Sequence, residues 1–221
     1  MTDLASSVAT AIRTAHDDAW EHLGLPGAWW SGSQRVAIAA VARAARPVSP
    51  WRRPALETLP SDHPSEGLSP FVIEVVERVA VDASRIDRAT VSTIAATIGD
   101  AAYAELVAVV CQLVAIDQLD HALGVVPRRL PAPVAGEPSR IRPDGMGDVG
   151  AHIVMTEPFR GPNVARSLSL AGADHQRWRE LVVSMYAAGH FADMVWSHRA
   201  LARPQIELVA TRTSALNECF Y

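Results

Sequence analysis

Two side chains near the end of the 221-residue chain have types that can work together: Glu207, a carboxylate able to take or give a proton, and Cys219, a thiol whose ionised form is a nucleophile. Twelve positions separate them, so a continuous helix holds them roughly 18 Å apart and excludes direct contact. Cooperation requires a bend or break between them, or a proton relay through water or a histidine. A plainer use of the same residues is open: Glu207 pairs with an arginine or caps a helix, and Cys219 fills space as a small apolar side chain. The other cysteine, Cys111, lies on an apolar face between Val110 and Leu113 and is expected to be buried and unreactive. Asp117 with His121, and His190 with Asp193 and His198, have spacings that permit metal ligation, though such pairs more often make surface hydrogen bonds. No metal site is assigned to them. The chain has no G-x-S-x-G, G-x-G-x-x-G or Walker-type stretch, and no cofactor is expected.

The stretch "RPQIELVATRTSALNEC", residues 203–219, resembles the core of the alkylhydroperoxidase D and carboxymuconolactone decarboxylase superfamily. In that family a Glu lies twelve residues before the first Cys of a C-x-x-C pair, and Glu207 and Cys219 occupy those two positions. The resemblance implies an all-α, oligomeric protein with thiol peroxidase chemistry. One thiolate attacks a hydroperoxide, the second Cys resolves the sulfenic acid, and a dithiol partner reduces the disulfide. Glu207 would manage protons and Cys219 would be the resolving thiol. The attacking position falls one residue beyond Tyr221, so the functional protein is expected to continue, the stop arising from a truncation, a frameshift or a codon decoded as selenocysteine. A selenol there would ionise far more readily than a thiol. The alternative is a catalytically silent member of the superfamily that keeps the helical scaffold for self-association or partner binding.

The elements that must position these residues read as helices. "SQRVAIAAVARAAR" follows the capping candidates Ser31 and Ser33 and is stopped by Pro47, and "SPFVIEVVERVAVD" has Ser69 as cap with Pro70 at its first helical position. Helical spacing continues through "DRATVSTIAATIGD" and "AAYAELVAVVCQLVAIDQLDHALG", the latter closed by Gly124. Residues 125–161 hold six prolines and five glycines and read as a linker. Beyond it, "PNVARSLSLAG", "ADHQRWRELVVSMYAAGHFADMVW" and the terminal stretch again read as helices. Glu-Leu-Val-Ala occurs at Glu105 and again at Glu207. The expectation is therefore an all-α chain of two related helical units, 1–124 and 162–221. The first unit is degenerate, because the positions twelve and fifteen after Glu105 are Asp117 and Asp120, which cannot form a disulfide.

Composition narrows the partners. All 20 basic residues are Arg, they are scattered, and the net charge is −4, which gives no cationic field for nucleic acid. The Arg52-Arg53 and Arg128-Arg129 pairs sit beside prolines and read as solvated. The first twenty residues show no secretory or membrane-spanning run, so a cytoplasmic protein without a disulfide framework is expected. Hydrophobic residues make up 49% of the chain, ample for a core. Trp29 and Trp30, just ahead of a helix, are expected in the core or at a subunit contact.

Overall fold

Ser31 opens a helix by a reciprocal exchange: its hydroxyl accepts the Gln34 N–H, and the Gln34 carboxamide accepts the Ser31 N–H. This computed structural model describes residues 10–46, 67–186, 193, 195 and 199–219. The helices are α1 (Thr10–Leu23), α2 (Gly32–Ala45), α3 (Pro70–Val81), α4 (Arg88–Ile98), α5 (Asp100–Ala122), α6 (Ala173–Met185) and α7 (Arg203–Leu216). Ser69 caps α3 ahead of Pro70, and Gly124 closes α5 at a left-handed φ of 69°. The chain is mostly helical, as the periodicity predicts. Two two-residue strands, Met146–Gly147 and Met155–Thr156, pair antiparallel.

Helix α5 is the axis of the molecule. It is apolar on nearly every face because α1, α2, α3, α4 and α6 all pack on it, burying Leu106, Val109, Leu113 and Ile116. By length and composition alone α5 could cross a bilayer, yet most of that apolar length is taken up by these contacts. Around it, Leu23, Ile38, Val41, Val76 and Leu181 complete one continuous core.

One local expectation is corrected, and one helix was not anticipated. Residues 162–172 form two short 3₁₀ turns, Asn163–Arg166 and Ser169–Ala171, where helix was expected. Leu168 and Leu170 are still buried, in a second cluster with Ala101, Ala104 and Ala108 of α5, so the apolar signal reflected burial in turns. Helix α6 spans Ala173–Met185, and most of the rest of the stretch expected as helix, residues 187–192, 194 and 196, lies outside the described residues. Helix α1 was not anticipated: polar residues dilute its pattern, and His16, Ala19, Trp20 and Leu23 form its buried stripe.

The segment 125–161 has almost no regular structure beyond the two short strands, as its prolines dictate. It lies along the helices as a strap. Val134 N–H donates to Gly24 O, Ser139 N–H to Gly27 O, and Arg140 N–H to Ala28 O, so it pairs with the loop joining α1 to α2. Gly32 permits the approach, since a Cβ there would meet the Gly24 and Val134 carbonyl oxygens at 2.5 Å. After the strap, α6 returns to pack on α1 and α5, so the first six helices share one core.

Candidate functional site

Helix α7 places the two residues on which the sequence reading centred. Glu207 lies in its second turn, about half exposed, with Arg203 Nε 3.2 Å from its carboxylate one turn earlier. Arg203 also donates to the Asp193 carbonyl oxygen. Glu207, Val182, Met185, Tyr186, Ile206 and Ala210 line a shallow depression of about 160 Å³ between α6 and α7. The helix ends at Leu216, Glu218 takes a left-handed φ of 53°, and Cys219 N–H donates back to Ser214 O at 2.9 Å. The Glu218 carboxylate accepts from Ser84 Oγ at 3.2 Å, which ties this turn to the short turn after α3.

Cys219 is exposed. The chain does break between the two residues, but only after nine positions of helix, ~13 Å along the axis. The structure thus supplies the bend without bringing the carboxylate to the thiol. Within one chain their cooperation needs a relay. Cys111 differs from the expectation in being partly rather than fully covered, and burial pushes its thiol up to about 11. It remains protonated at neutral pH and is a poor nucleophile.

The most organised polar group in the molecule lies elsewhere and was not anticipated. Arg35 of α2 is fully buried, and its Nη1 donates to Glu105 Oε1 at 2.8 Å and to Asp174 Oδ2 at 2.7 Å. Its Nη2 donates to Asp174 Oδ1 at 2.8 Å and to the His22 carbonyl oxygen at 3.2 Å. Gln112 Nε2 reaches Asp174 Oδ1 at 3.1 Å, His22 Nε2 lies 3.2 Å from the same oxygen, and Trp29 N–H donates to Glu105 Oε2 at 2.7 Å. Helices α1, α2, α5 and α6 and the loop between α1 and α2 all converge here.

Two carboxylates share one guanidinium, and they settle differently. Burial pushes the Glu105 carboxyl up, and Asp174 beside it adds to the shift against the pull of Arg35. Burial acts on Asp174 in the same direction, but the Arg35 charge and the His22 and Arg35 hydrogen bonds outweigh it and hold Asp174 well below the usual carboxylate range. Arg35 is itself penalised by burial, yet the two acids raise its affinity for its proton further. With no opening onto solvent at Arg35, Glu105 or Gln112, this cluster fixes how four helices meet.

The remaining candidates have structural partners. Asp117 forms a two-pronged ion pair with Arg43, at 2.7 and 2.9 Å, and Asp120 accepts from Arg128 Nε at 3.2 Å. Arg128 is therefore an anchor of the strap and not a solvated charge. Trp30 is buried with its Nε1–H donating to Ala102 O, and Trp29 is partly buried beneath Arg140. Arg52, Arg53, His190 and His198 lie outside the described residues. Among the described residues no group of three or more His, Cys, Asp or Glu side chains could hold a metal ion. Compared with known proteins, the chain matches no family model, no curated protein and no solved structure.

Proposed function

We propose that the chain is a thiol oxidoreductase of the alkylhydroperoxidase D type, cytoplasmic and oligomeric, with Cys219 as one of its two redox positions and Glu207 as its proton-handling carboxylate. The observation that carries this reading is the pairing of an exposed thiol with the family's Glu-to-Cys spacing, on a helix that leaves its carboxylate open to a small depression. In the cycle the resemblance implies, a thiolate or selenolate attacks the terminal peroxide oxygen and the O–O bond breaks to release an alcohol. Cys219 then displaces water from the oxidised centre to form a disulfide or selenylsulfide, and a dithiol partner returns both groups to the reduced state. Glu207 and Glu105 would be related residues of two helical units, the first carrying its carboxylate in the core and the second carrying it to the site.

A second reading, a catalytically silent scaffold for self-association, has its own observation. No described side chain of α7 is buried, and Leu208, Val209 and Leu216 face outward. Labelling of the folded 221-residue chain with a thiol-reactive disulfide separates the two. The oxidoreductase reading expects rapid reaction at Cys219, slowed several-fold in Glu207→Gln, and protection of Cys111. Equal rates in wild type and Glu207→Gln favour the scaffold.

A further inference from the structure

His16 of α1 is fully buried, and neither of its ring nitrogens has a hydrogen-bond partner among the described residues. A buried imidazole without a partner spends stability for no local return, so its surroundings carry the explanation. One turn along α1, Trp20 is flanked by two guanidinium groups, Arg43 at 5.3 Å and Arg128 at 5.9 Å from the ring. Arg128 is the anchor at the near end of the strap. Its Nη1 donates to Asp17 on α1 at 2.6 Å, its Nε to Asp120 on α5 at 3.2 Å, and its carbonyl oxygen accepts from Arg43 on α2 at 2.8 Å. Helix α6, the other neighbour of α1, contributes Arg177, which faces Asp18 at 3.9 Å.

We propose that His16 is an acid sensor whose protonation unlatches the first part of the strap, residues 125–145, from α1 and α5. A proton on His16 would set a new positive charge against Arg128 and offer Asp120 a second cation, weakening the grip that holds the strap. Burial first, and Arg128 second, hold the imidazole below its ordinary 6.5, with Asp120 and Asp17 opposing. The sign follows: a histidine that binds its proton less well when latched loses latch stability as pH falls through about 6.5. The consequence reaches further than the anchor, because the same strap pairs with the loop whose Trp29 N–H holds Glu105.

Hydrogen exchange at Val134, Ser139 and Arg140, corrected for the intrinsic pH dependence of exchange, reads the latch directly. Opening should rise as the pH is lowered from 7.5 to 5, by at most about tenfold per pH unit for one proton, and His16→Phe should abolish the rise. Glu105→Gln removes a buried carboxyl whose proton affinity burial raises, and should leave the rise in place. A rise that persists in His16→Phe, or its absence from the wild type, overturns the proposal. If His16→Phe does not fold, the wild-type His16 ring resonance decides: a midpoint below 6.5 that tracks strap exchange supports the sensor, and a midpoint at or above 6.5 refutes it.

Discussion

Arg35, Glu105 and Asp174 pose a question of unequal partners, since one buried guanidinium serves two carboxylates. Asp174 takes both prongs of the fork and is held strongly ionised, whereas Glu105 is pushed toward its neutral form. Removing the Asp174 charge should therefore cost ~3–5 kcal/mol, as expected when a buried pair loses one member, while Glu105→Gln should cost under about 2 kcal/mol. The acid dependence follows with opposite signs. Asp174 contributes stability above its ordinary 3.8 that is lost as pH falls below it; ionised Glu105 costs stability as pH rises through its raised value. Urea midpoints across pH 2 to 8 check this: Asp174→Asn should flatten the acid limb, and an acid limb unchanged in that variant would contradict the assignment. The pairing of these three residues was not legible in the sequence. The partners of Arg35 lie 70 and 139 positions away, and an Arg in an Ala-rich helix that also carries Arg43 looks like any surface charge. A useful signal was present in α2 itself, where an arginine sits inside an otherwise apolar stripe between Gly32 and Ala42.

At the scale of elements, the sequence was most informative where local chemistry decides the outcome. Ser31, Ser69, Pro70 and Gly124 end or start helices through contacts within four residues, and each does so as its type predicts. It was least informative where tertiary contacts decide: the 3₁₀ turns at 163–171, the dilute pattern of α1, and the docking of the strap all depend on distant partners. Helix α7 carries its own prediction. Leu208 is 70% and Val209 62% exposed, an apolar pair that a second copy of the chain would cover in the proposed oligomer. Light scattering after gel filtration should report an oligomer for the wild type and a monomer for Leu208→Glu combined with Val209→Glu. Because no described α7 side chain is buried, the double variant should keep its thermal midpoint of core unfolding within a few degrees; a monomeric wild type would remove the oligomer from the account.

For the whole molecule, the division into two units can be tested by asking what folds alone. Residues 1–161 lack α6, and with it Asp174 and Leu181, which supply a charge and an apolar side chain to the core around α5. This fragment should show no cooperative unfolding transition by circular dichroism, and a sharp transition would establish an independent N-terminal domain. The chemistry is decided by the redox fate of the two cysteines in the folded chain. Mass spectrometry after treatment with an alkyl hydroperoxide, then with a dithiol, should find Cys219 oxidised in an intermolecular disulfide and returned to the thiol. Two thiols give up two protons and two electrons, and the peroxide leaves as alcohol and water. Cys111, its thiol pushed up to about 11, should stay reduced throughout. Cys219 that remains a thiol under peroxide, or oxidation that falls on Cys111 instead, would contradict the account.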